Sequence, residues 1–137
     1  MPRQITLEVY IGKLERKNYV GEVEVTQDQF LAAILEWNSE AMMTRREKWV
    51  DNKGETKVFW CKDRCYPPKH IMRIACREQV KELAARTVNA HFKQKLQEGL
   101  SKGSGVYQLI HCYDRTKDLG YKVEKSVDPE KKRRCGR

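Results

Sequence analysis

The chain has 137 residues, 39% apolar and 34% charged, with a formal net charge of +9. That length suits one hydrophobic core, and the apolar share is enough to fill it despite the excess charge. No stretch approaches the 18 or so apolar residues of a membrane span, and MPRQITLEVYIGK enters alternation without an apolar leader, so a cytoplasmic protein with no membrane partner is expected.

Gln4 to Ile11 alternates, with Ile5, Leu7, Val9 and Ile11 on one side, which predicts a half-buried strand. Val20 to Val25 repeats the pattern with Val23 and Val25 inward. Thr26 with Gln29 three residues later is a capping-box signature, and Phe30, Leu31, Ile34, Leu35 and Asn38 then trace one face of a helix predicted over Gln27 to about Met43. Asp51-Asn52-Lys53-Gly54 reads as a turn between Trp49-Val50 and a β-branched, aromatic strand at Thr56 to Cys61. Pro67 and Pro68 exclude a ladder position, leave Tyr66 extended and start a helix at Pro68 that turns Ile71, Ile74 and Ala75 inward. Beyond Arg77, the apolar spacing of Val80, Leu83, Ala84, Val88, His91, Phe92 and Leu96 predicts a second helix or a bent continuation, ended by Gly99 and Ser101 to Gly105. Val106 to Cys112 fits either a strand or a short helix, and Leu119 to Glu124 fits a closing edge strand with Tyr121 and Val123 on one face. The expected fold class is α+β, a small mixed or antiparallel sheet packed against two or three helices. It forms one domain over residues 1–124, with 125–137 as a flexible basic tail.

The five cysteines, Cys61, Cys65, Cys76, Cys112 and Cys135, lack a secretion context and are expected as free thiols. Cys61 and Cys65 have marginal zinc-knuckle spacing, but Cys76 and the adjacent His111-Cys112 make no second knuckle, so no metal or other cofactor is expected. Cys65 with His70 could in principle form a thiol–imidazole pair, although nothing in the spacing requires it, and His91 is expected in the core. Glu55-Thr56-Lys57 resembles half of a nuclease carboxylate–lysine site, yet no partner among Asp51, Asp63 and Asp114 completes it. Gly103-Ser104-Gly105 lacks the lysine–hydroxyl pair of a phosphate loop. No catalytic residues are expected.

Basic and aromatic residues interleave over one stretch. Arg45, Arg46, Lys57, Lys62, Arg64, Lys69 and Arg73 could position phosphates, while Trp60 and Tyr66 could stack on exposed bases. Lys48, Trp49 and Lys53 belong to the same run. The alternative is that Trp49 and Trp60 pack a hairpin against the helix while the charges face solvent. Five of the positive residues fall in the last seven, so part of the net charge belongs to that end and carries no specificity.

The run Tyr66-Pro67-Pro68-Lys69 followed by Ile71, Ile74 and Ala75 resembles the YPPK signature of small DNA-recognition modules in modification-dependent restriction and HNH-nuclease-associated proteins. In those modules a leading helix and hairpin precede the signature, a glycine pair follows, and a final L…G(F/Y)xV closes the domain. Leu31 to Trp37, Gly103 to Gly105 and Leu119-Gly120-Tyr121-Lys122-Val123 stand in those places, so the resemblance spans residues 27–124. It departs in the long helix Val80 to Leu96 and in having no nuclease cassette. The resemblance implies a DNA-binding module without cleavage chemistry of its own, with modified bases in a restriction or mobile-element context as one expected ligand. RNA is the second nucleic-acid partner to consider. A second class of function is a small phage-type inhibitor or adaptor that binds a protein or ribonucleoprotein defence complex.

Overall fold

Alternation in the first 26 residues produces two eight-residue strands, β1 (Gln4–Ile11) and β2 (Tyr19–Thr26), paired antiparallel from Gln4 opposite Thr26 to Tyr10 opposite Tyr19. The inward set is the one that the period of two selects: Ile5, Leu7, Val9, Ile11, Val23 and Val25 are all buried. A register shift beyond Val9 leaves Val20 as an extra residue opposite the turn end of β1. The structure, a computed structural model, describes residues 3–44, 58–62, 64–102, 106–110 and 115–124.

Helix α1 (Gln27–Trp37) starts at the expected capping box. The Thr26 hydroxyl accepts from the Gln29 amide, and the Gln29 side chain accepts from the Thr26 amide at 2.8 Å. The helix stops at Trp37 rather than near Met43. Asn38 caps it, and the Ser39 hydroxyl donates to the Glu36 carbonyl, a local side-chain bond that competes with another helical turn. Its buried stripe is Phe30, Ala33, Ile34 and Trp37. The expected Leu31 and Leu35 lie about a hundred degrees round the helix and are exposed, Leu35 at 72%. The two large rings take the core because they bury the most area.

Strand β3 (Val58–Cys61) pairs antiparallel with β4 (Arg64–Tyr66) on one side and with β6 (Val123–Glu124) on the other. The expected strand at Trp49-Val50 lies outside the described residues. The ladder ends at Tyr66, as two following prolines require, and α2 (Pro68–Ala75) begins with Pro68 in its first turn. Its inward residues are Ile71, Met72 and Ala75, with Ile74 only partly buried.

The long apolar period after Arg77 is two helices, α3 (Arg77–Arg86) and α4 (Ala90–Lys102). They separate at Thr87-Val88-Asn89, where Thr87 is extended and the Asn89 carboxamide accepts from the Phe92 amide as an N-terminal cap. Val88 and His91, expected in the core, are consequently exposed, Val88 at 98%. Gly99 does not end α4 but lies inside it. A Cβ there would meet Tyr107 Cδ1 at 2.5 Å, so the glycine admits β5 (Tyr107–Leu109), which pairs antiparallel with β1.

The α+β class holds: among the described residues, two three-stranded antiparallel sheets, β2-β1-β5 and β4-β3-β6, pack against four α-helices. One buried cluster draws on both sheets and every helix. Phe30, Phe59 and Tyr121 form an aromatic knot with ring centroids 5.2–5.3 Å apart, which joins α1 to the second sheet. No described helix is long and apolar enough to cross a membrane.

Candidate nucleic-acid interface

The opening of this region is a tight turn. Cys61 and Arg64 are directly paired, so only residues 62 and 63 connect β3 to β4, and Lys62 sits in the left-handed conformation with φ of 59°. A two-residue hairpin loop needs positive φ, for which Gly or Asn is the low-cost choice. A lysine held there, with an exposed side chain, is the one non-glycine residue of its kind among the described residues. Arg64 is exposed at the start of β4, and Lys69 is exposed in the first turn of α2. Among the described residues, no carboxylate lies within ion-pair distance of Lys62, Arg64 or Lys69. Lys17, Arg77, Lys81 and Lys95, by contrast, sit within 4 Å of Glu15, Glu36, Glu78 and Glu98.

The aromatic residues of the stretch turn the other way. Tyr66 is 3% exposed, stacks on Phe59 at 5.6 Å, and its hydroxyl accepts from Asn38 Nδ2 at 2.9 Å. It ties β4 to the end of α1, and its ring cannot receive a base without unpacking that contact. Trp60, on the opposite face of β3, is half-buried against the core and is the one aromatic of the two with partial access. Tyr121 meets the thiol of Cys61; burial, then the neighbouring Cys61, pushes its hydroxyl up to about 12.

Arg73 is a correction to the expected phosphate contacts. Its Nη1 donates to the Tyr107 carbonyl at 2.8 Å and its guanidinium lies 4.2 Å from the Tyr107 ring centroid. Nη2 is buried without a hydrogen-bond partner, so the ring face is what compensates it. Burial raises the Tyr107 pKa, while the charge of Arg73 opposes the rise. Arg77, four residues on, is bidentate to Glu36 at 2.9 Å for both bonds, which raises its own pKa. The cations of α2 and early α3 therefore divide. Lys69 is exposed with no ion-pair partner among the described residues, Arg73 clamps β5, and Arg77 clamps α1.

Arg45, Arg46, Lys57, the neighbouring Lys48, Trp49 and Lys53, the Glu55-Thr56-Lys57 motif and the basic C-terminus all lie outside the described residues. Among the described residues no group of three His, Cys, Asp or Glu side chains is placed to hold a metal. The thiols need one correction. Cys61 and Cys76 are thiols outside any disulfide, but Cys65, fully buried, is disulfide-bonded. That bond removes Cys65 as a partner for His70.

A second feature escaped sequence reading. Residues Tyr19 to Glu22 of β2 and the corner between α3 and α4 enclose a groove of about 580 Å³. Its signal was the Thr87-Val88-Asn89 break, in which Asn89 is a helix-start residue inside an apparently continuous apolar period. No family model, curated protein or solved structure matches the chain.

Proposed function

We propose that this protein binds nucleic acid, with DNA as the primary partner, through the β3–β4 turn and the start of α2, and that it carries no catalytic chemistry of its own. The observation that supports this reading is the trio Lys62, Arg64 and Lys69, exposed and without a carboxylate partner among the described residues, with Lys62 kept in a backbone conformation that lysine rarely adopts. Exposed cations attract phosphates because each contact releases condensed counterions. Trp60, half-buried, would add stacking. Tyr66 and Arg73 support the surface from beneath rather than touching the ligand. Reading of modified bases is what the YPPK resemblance adds.

The test is binding to duplexes, modified and unmodified, to single strands and to RNA over a salt series, using the full chain and a form lacking residues 131–137. Replacing Lys62, Arg64 and Lys69 together by Ala should lower the slope of log affinity against log salt by about 2 to 3. Thermal stability should stay unchanged, because exposed unpaired cations contribute little. If only the truncation abolishes binding, the turn is not the interface. Absence of binding even at low salt would leave the second reading, a protein-binding inhibitor or adaptor. The exposed Leu31 and Leu35, four residues apart on α1, favour that reading by offering an apolar contact stripe.

A further inference from the structure

We propose that the open edge of β2 is a docking site for an extended, basic segment of a partner protein, which adds to the first sheet as a fourth strand and seats one apolar side chain in the adjoining groove. Strand order places β2 at the sheet edge, with no neighbour on its outer side among the described residues. The Glu8 carbonyl accepts from the Ile110 amide at 3.0 Å, so the main chain of Glu8 turns toward β5. In an antiparallel ladder, N–H and C=O of one residue point the same way. Glu22 and Glu24, which oppose Glu8 and Thr6, therefore direct theirs away from β1, toward the open edge. An extended backbone is the ligand that satisfies such a row.

The groove beside this edge selects the inward side chain. Gly21 contributes none, and Leu83 fills the space a Cβ would take, at 2.9 Å. Val88, 98% exposed, and the half-buried Phe92 form the opposite wall. An apolar residue opposite Gly21 would cover Val88 and exclude water from Leu83 and Phe92. The outward side chains are selected by charge. Glu22 and Glu24 are exposed on one face of β2 and make no ion pair among the described residues, and Glu22 directly opposes Glu8 across the ladder. Like charges in that position repel, so a Lys or Arg brought opposite Glu22 gains more than usual. The same charges disfavour a second copy of β2, which would set glutamates against glutamates.

The probe is a fluorescent decapeptide of alternating lysine and valine, compared with the glutamate–valine peptide and with a lysine–valine peptide N-methylated at alternate amides. The lysine peptide should bind, the other two should bind at least about tenfold more weakly, and the amides of Glu22 and Glu24 should become slow to exchange. Glu22→Lys with Glu24→Lys should reverse the preference between lysine and glutamate peptides. A melting curve checks that this variant folds, and Val88→Asp, at a fully exposed position, gives an independent loss of affinity. Binding indifferent to N-methylation, or amide protection elsewhere, overturns the proposal. So does self-association of the chain, measured by sedimentation, that buries the β2 edge.

Discussion

Two regions of the molecule mix cations with aromatic rings, and they use them in opposite ways. At the seam where α2 and α4 meet β5, Arg73 lies over Tyr107 and donates to its carbonyl, and Gly99 makes room for the same ring. Cation and ring satisfy each other, and nothing is left for a ligand. At the β3–β4 turn Tyr66 faces inward, stacked on Phe59, and Trp60 is half-buried, while Lys62, Arg64 and Lys69 are exposed with no carboxylate partner among the described residues. An interleaved basic and aromatic composition is therefore no measure of an interface. What matters is whether cation and ring find each other inside the fold.

The contrast can be broken by mutation, beginning with the seam. Arg73→Ala should cost about 2 to 3 kcal/mol in urea unfolding, because a carbonyl loses a charged donor and a ring loses its cation. A cost below about 0.5 kcal/mol would return Arg73 to the surface class. Gly99→Ala should cost about 1 to 2 kcal/mol. Overpacking against Tyr107 outweighs the gain in helix propensity, and a Tyr107→Ala background should remove the penalty.

Alkaline pH probes the inner side of the turn. The folded Tyr121 hydroxyl lies above its ordinary value of 10.0, at about 12, so folding opposes its ionisation. Its contribution is complete below pH 10 and is lost as pH rises to about 12, while Tyr121→Phe should flatten that part of a stability–pH curve. Tyr66→Phe should cost about 1 kcal/mol, the net value of the bond from Asn38, and leave nucleic-acid affinity unchanged. The smallest effect is expected at the turn itself. Lys62→Gly should gain about 0.5 kcal/mol by relieving the left-handed conformation, yet weaken binding. A variant that gains stability and keeps full affinity would separate Lys62 from the interface.

Legibility of the fold followed the range of the interactions. Both strands of the first hairpin and the start of α1 were readable to within a residue, since a period of two and a capping box are local. The stripe of α1 was misassigned because Leu31 and Leu35 fit the same spacing as Phe30 and Ile34. Only Phe59 and Tyr121, far along the chain, decide which stripe is covered. The break at Thr87-Val88-Asn89 was hidden by an apolar period that continued through Val88 and His91, both of which end in solvent.

The candidate site divided along the same line. Lys62, Arg64 and Lys69 could be named from composition, but so could Arg73 and Tyr66. The structure separates them by two contacts, at separations of 34 residues from Arg73 to Tyr107 and 28 from Asn38 to Tyr66. By itself, the sequence determined the α+β class, the inward faces of β1 and β2 and the proline-set junction before α2. These depend on neighbours a few positions apart. Tertiary structure alone decided which cations are consumed, that Cys65 is bonded, and that β2 is the edge strand of its sheet among the described residues, beside a groove. Those outcomes depend on which distant segments arrive to satisfy a charge, a thiol or a row of amides, and local spacing carries no information about that.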